Sequence, residues 1–191
     1  LRLVDEGLIG LDDPLSNHLQ GDFMEEVANA QTVTIRQLLN HSSGIVDYIT
    51  GNINFHFERI NEGNLRLGPR EKLAFIHGKS AKFAPGATHE YSNTNFVLLG
   101  LLIEAVTDLS LNLAITEYVF TPLGLTSARH GTPATPIPSG TIQPYYSTGG
   151  SRFFNSTAFD SGDAATGDGG VAINMQDLTV FTQALFAGDF L

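Results

Sequence analysis

The stretch "SNTNFVLLGLLIEAVT", Ser92 to Thr107, constrains the fold more than any other part of the chain. Its apolar residues, Phe96, Val97, Leu98, Leu99, Leu101, Leu102, Ile103 and Val106, go almost all the way round a 3.6-residue period. A helix with no polar face belongs at the centre of a core, so the spacing predicts a buried helix from Asn93 to about Thr107, with Ser92 at its N-cap. Tyr91 and Asn93 then stand at the mouth of that helix. Upstream, Phe83-Ala-Pro85-Gly86 predicts a turn that delivers Tyr91 in an extended run to a place where helix-terminal donors converge.

The remaining punctuation is also mainly helical. "LRLVDEGLIGLDDPL" carries Leu1, Val4 and Leu8 at helical spacing with Gly7 and Gly10 as stops, and reads as the second half of a helix. Thr34 and Gln37 form a capping box opening "IRQLLNH", Pro69 suits the first turn of "PREKLAFIH", and Ser110 starts "LNLAITEYVF". Asn174 and Asp177 approximate a second capping box, followed by an apolar face of Leu178, Phe181, Leu185 and Phe186 that Gly188 ends. Between Thr132 and Gly170 the pattern changes to Pro, Gly, Ser, Thr, Asn and Asp with scattered aromatics, as in loops and short strands. The spacing predicts one domain over 1–191, with no linker that divides it: a helical region at 1–131, an irregular loop at 132–170, and a returning helix at 171–191.

Composition narrows the function. Ten basic against twenty acidic residues give a net charge of -10, and no Lys/Arg cluster interrupts it, which disfavours nucleic acid or anionic lipid as partners. The longest apolar run, Phe96 to Ile103, is well short of the roughly 20 residues of a membrane span. There is no cysteine, so thiolate sites and disulfides are excluded. Six histidines occur, but no His-Glu-x-x-His and no calcium-type acidic loop; Asp160, Asp163 and Asp168 in a Gly-rich run read as solvated loop. No metal or cofactor is expected. A Gly-x-Ser-x-Gly elbow is absent, which argues against an α/β-hydrolase.

Tyr91 is the candidate catalytic residue. A tyrosine serves as a general base only where positive charge or hydrogen bonding favours loss of its proton, so it needs cations nearby. Asn93 could hydrogen-bond a substrate amide. The alternative for this pair is a packed aromatic beside an ordinary cap. Tyr145, Tyr146, Arg152 and Phe153 are further candidates for substrate contact, weighed equally against an exposed connection with a few anchoring aromatics.

The order of segments carries more weight. "LRLVDEGLIGLDDPL", "VTIRQLLNHSSGI", "FAPGATHEYSNTNFVLLGLLIEAVT", "YVFTPLGLTSARH" and "GDGGVAINMQDLTVFTQAL" together resemble the serine β-lactamase and penicillin-binding-protein family, in its class C, esterase and D-alanyl-D-alanine carboxypeptidase-like branch. The resemblance spans nearly the whole chain. It implies the helical region of a β-lactamase/transpeptidase-like α/β (α+β) fold, mainly α here, whose central sheet is largely missing from these residues. It implies a proton-transfer role for Tyr91, an amide-binding role for Asn93, and a structural role for His41 in "LLNHSSG", where Ser42 takes the family's usual threonine position.

Two family motifs are absent. No Ser is followed three residues later by Lys, and neither Lys-Thr-Gly nor His-x-Gly occurs. The chain is therefore expected to be the middle of a longer enzyme, with the nucleophile about three turns upstream of Leu1. Residues 1–191 alone are expected neither to hydrolyse a β-lactam nor to be acylated by one, and to self-associate through an exposed core face. The implied function is hydrolysis of an amide, β-lactam or ester through an acyl-enzyme, on a small or peptide-like substrate with a reactive carbonyl. The alternative is a non-catalytic relative that binds a cell-wall ligand. The resemblance implies a periplasmic or other extracytoplasmic setting, with cytoplasmic esterases of the same branch as the exception.

Overall fold

The structure, a computed structural model, describes residues 1–50, 52, 54–55, 67–131, 142, 145–147, 153–155, 166–188 and 190. Its helices are α1 (Arg2–Asp5), α2 (Phe23–Glu26), α3 (Ile35–Leu39), α4 (Pro69–Ala74), α5 (Asn93–Thr107), α6 (Leu111–Ile115), which runs on into a π-helical turn at Thr116–Phe120, and α7 (Met175–Ala187). Strand β1 (Arg129–His130) pairs antiparallel with β4 (Val171–Ala172), and β2 (Tyr145–Ser147) with β3 (Phe153–Asn155).

Helix α5 has the predicted limits and the predicted place. Val97, Leu98, Leu99, Gly100 and Leu102 are buried, and α3, α4 and α6 pack around it. The core it anchors includes Leu15, Phe23, Met24, Val33, Leu38, Tyr48, Phe55 and Leu73. Asp108, in the left-handed conformation, ends the helix. The capping box at α3 is present with both arms: the Thr34 hydroxyl accepts from the Gln37 N–H at 3.2 Å and the Gln37 side chain accepts from the Thr34 N–H at 3.0 Å.

α1 is a single turn that Gly7, at φ +69°, ends, as the spacing predicts. Two local readings are corrected. Ser92 holds the N-cap position of α5, but its buried Oγ makes no cap bond, while its N–H donates to His41 Nδ1. At α7 only one arm of the box forms: Asn174 Oδ1 accepts from the Asp177 N–H at 2.8 Å, while the Asp177 carboxylate turns away to accept from the Ser127 N–H and hydroxyl, both at 2.7 Å. That long-range pair docks α7 on the 127–130 segment. A second, smaller core of Phe120, Leu125 and Ala128 with Phe181 and Ile173 fills the space between. α7 otherwise buries no residue, and Met175 and Phe186 stay exposed.

Candidate active site

The loop His41–Gly44 is sewn to residues 82–90 by backbone bonds. Glu90 N–H donates to His41 O at 3.0 Å, Gly86 to Ser42 O at 2.8 Å and Lys82 to Gly44 O at 2.9 Å. Asn29 straps both segments, its Nδ2 donating to the Ser43 and Phe83 carbonyls at 2.8 and 2.9 Å. Gly44 has φ +71°, and a Cβ there would collide with the Phe83 carbonyl, so glycine is required. This frame fixes the entry of Tyr91 into α5.

His41 is the hub. Its Nδ1 accepts from the Ser92 N–H and from Asn95 Nδ2, each at 3.3 Å, and Asn95 is oriented by the Ser43 hydroxyl, which donates to its Oδ1 at 2.7 Å. Two donors at Nδ1 leave the proton of the neutral ring on Nε2. Burial first, and then the charge of His89, hold His41 below the usual histidine range, with Asp47 acting the other way. Its ring stacks under Tyr91 with centroids 4.4 Å apart. Tyr91 itself is 57% exposed.

The Tyr91 hydroxyl donates to Asn93 Oδ1 at 3.2 Å, and Asn93 Nδ2 donates to Asp47, at 3.3 Å to Oδ1 and 3.1 Å to Oδ2. Asp47 also accepts from the Ile49 N–H at 3.1 Å and the Thr50 hydroxyl at 2.8 Å. It is buried, and among the described residues no Lys or Arg pairs with it. Its place beside the first turn of α5, at the positive end of a long helix, helps to explain how it stays buried without a cation. The structure therefore brings Tyr91 and Asn93 together and adds Asp47, which the sequence reading missed. The available signal was an isolated acid within "GIVDYI": a charge flanked by Ile45, Val46, Tyr48 and Ile49 is a candidate for burial.

Tyr91 borders an open cleft of about 500 Å³ lined also by His41, Phe96, His130 and the run Gly167–Val171. That run is held from behind. Lys72, fully buried in α4, donates to Thr166 Oγ1 at 2.7 Å and to the Asp168 carboxylate at 3.1 and 3.2 Å, and Tyr48 Oη donates to Asp168 at 2.5 Å. Asp168 is thus not a solvated loop residue. It is a buried ion-pair partner, because a Cβ-less Gly167 lets the chain press against the Phe96 carbonyl of α5 and carries Asp168 inward. Asp160 and Asp163 lie outside the described residues, as does Arg152. Tyr145 is exposed on β2 and does not line the cleft, and the side chains of Tyr146 and Phe153 are not described. His130 donates from Nε2 to the Gly169 carbonyl at 3.1 Å.

The cations that Tyr91 would need are not supplied by the chain's lysines. Of the three, Lys72 is committed to Asp168, Lys82 to Glu90 at 3.0 Å, and Lys79 is exposed and does not line the cleft. Among the described residues no group of His, Asp or Glu is placed to hold a metal ion.

The family model described as beta-lactamase matches residues 1–191. Protein flp of Staphylococcus aureus (strain MW2) is 36% identical over 123 residues, 64% of this chain and 23% of the relative. Penicillin-binding protein 4* of Bacillus subtilis (strain 168) is 32% identical over 132 residues, 68% of this chain and 27% of the relative. Among solved structures, a D-stereospecific amidohydrolase from Streptomyces sp. superposes with a TM-score of 0.86 at 28% identity, covering 100% of this chain and 57% of its own. The chain spans about a quarter of the curated relatives' length and little more than half of that amidohydrolase.

Proposed function

The chain belongs to the serine β-lactamase and penicillin-binding-protein family, and on that premise we propose that it forms part of a serine hydrolase that cleaves an amide, β-lactam or ester through an acyl-enzyme. The observation that carries the reading is the Tyr91–Asn93 pair, set on the rigid end of a buried helix beside an open cleft. In this reading the nucleophile is the serine of a Ser-x-x-Lys motif outside residues 1–191, and the central sheet of the fold covers the exposed face of α7.

The chemistry runs as two acyl transfers. The serine Oγ attacks the substrate carbonyl, a C–O bond forms, the bond to the leaving group breaks, and the serine proton passes by way of Tyr91 to the leaving nitrogen or oxygen. Water then attacks the ester, the acid departs, and a proton returns to the serine. The outward-facing Asn93 Oδ1 over an unneutralised Asp47 makes this corner attractive to positive charge, which fits the motif lysine. The D-stereospecific amidohydrolase among the similar structures favours an amide of D configuration as substrate. Cell-wall chemistry of this kind goes with an extracytoplasmic setting.

Intact mass of the full-length gene product before and after exposure to a reactive penicillin tests the reading. One penicillin gained on a serine is the expected result, with Tyr91→Phe slowing turnover of the adduct roughly 100-fold or more. A full-length protein that binds the penicillin without gaining its mass favours the non-catalytic relative and ends the proposal.

A further inference from the structure

We infer that Asp47 is a positioning residue for the reaction proposed above, acting through Asn93; the inference rests on that reading. The two ends of an asparagine amide are nearly the same shape, so packing alone does not decide which end faces a cleft. Here chemistry decides. A carboxylate has acceptor sites only, and both oxygens of Asp47 lie within reach of Asn93 Nδ2, at 3.3 and 3.1 Å. A flipped Asn93 would set its Oδ1 against two carboxylate oxygens and would offer Tyr91 a donor in place of the acceptor that its hydroxyl now uses at 3.2 Å.

Asp47 is itself immobile. It is 7% exposed, its Oδ1 receives the Ile49 N–H two residues on, and its Oδ2 receives the Thr50 hydroxyl. The Tyr48 N–H and Val46 carbonyl on either side are both bonded to Thr94 Oγ1, at 3.1 and 2.8 Å, so the backbone carrying Asp47 is clamped to the first turn of α5. Its partners on Ile49, Thr50 and Asn93 are neutral, so its charge adds to the outward carbonyl dipole of Asn93. The corner beside Tyr91 therefore presents an acceptor of fixed direction and negative potential, suited to an ammonium group or an N–H donor of the reacting system.

The test is a double-mutant cycle on the full-length protein, reading the second-order rate of acylation by a chromogenic penicillin. Asp47→Asn removes the charge and turns an acceptor end into a donor, freeing Asn93 to turn over. Its expected cost is roughly 10- to 100-fold in rate, as for a displaced reactive group. In an Asn93→Ala background the same substitution should cost little, because the group through which Asp47 acts is gone. Equal losses in both backgrounds, with melting temperatures falling in parallel, would reduce Asp47 to a structural role. No loss in either would also overturn the inference. A wild-type protein that is never acylated fails earlier, at the hydrolase reading, and takes the inference with it. If Asp47→Asn does not fold, hydrogen exchange of the Asn93 side-chain amide in the wild type decides: slow exchange is expected, and the rapid exchange of a free surface amide overturns the assignment.

Discussion

Asp47 and Asp168 both keep their carboxylates out of solvent near the same cleft, but the fold stabilises them in opposite ways. Asp168 is met by a full countercharge, Lys72, together with the hydroxyl of Tyr48. Asp47 is met by the neutral donors of Ile49, Thr50 and Asn93. The first arrangement cancels charge and fixes geometry, so it suits a wall. The second keeps net charge at the point where Tyr91 and Asn93 face solvent, so it suits a site that must attract positive charge. A buried ion is costly in either case. What differs is whether its field is spent on folding or left available to the cleft.

The sharpest way to break the comparison is to remove the wall's cation. Lys72→Met leaves the Asp168 carboxylate without its countercharge, and the expected loss is about 3–5 kcal/mol, read from the denaturant midpoint. Adding Asp168→Asn should recover most of it, since an uncharged pair requires no cation. A single variant as stable as the wild type would mean that the ion pair does not hold the wall, and the contrast with Asp47 would collapse.

A smaller effect sharpens the same point from the backbone side. Gly167 lies where a Cβ would strike the Phe96 carbonyl, and that carbonyl belongs to a helix that cannot yield without losing its own bonds. Gly167→Ala is expected to cost about 1–3 kcal/mol and to weaken the Lys72–Asp168 pair by pushing Asp168 outward. If the two sites are coupled in this way, Gly167→Ala will cost less in the Lys72→Met/Asp168→Asn background than in the wild type. Strict additivity would show that the glycine contact and the ion pair hold the wall independently.

Much of this was legible along the chain, and what was not has a common cause. The limits of α5, the Thr34–Gln37 box and the turn at Pro85-Gly86 depend on neighbours within a few residues, which period and capping rules address directly. The pairing of Tyr91 with Asn93 is likewise local. The partners that give the site its character are distant: Asp47 meets Asn93 across 46 positions and Lys72 meets Asp168 across 96. The Gly-rich surroundings of Asp168 suggested a solvated loop because glycine usually marks exposed turns. Here Gly167 instead permits close approach to a helix. Ser92 carried the right residue type for a cap and holds the cap position, yet its hydroxyl makes no cap bond in the folded chain.

The smallest expected effect concerns protons. His41 and His130 are both held below the usual histidine range by burial, so the unfolded chain takes up protons more readily than the folded one. Their contribution to stability is therefore complete above the ordinary histidine value, about 6.5, and is lost progressively as pH falls below it. The two should respond differently to their acidic neighbours. Asp47 raises His41 against the effect of burial, so Asp47→Asn should move the His41 titration midpoint further down and steepen the acid-side loss of stability. His130 touches the Gly169 carbonyl, next to an Asp168 whose charge is already cancelled by Lys72. Its midpoint should stay where it is when Lys72→Met and Asp168→Asn are combined. Ring-proton titrations of the two histidines in the three proteins give the answer. A shift at His41 with none at His130 means that one carboxylate projects its field into the cleft and the other does not, whereas equal shifts would mean that both fields reach it.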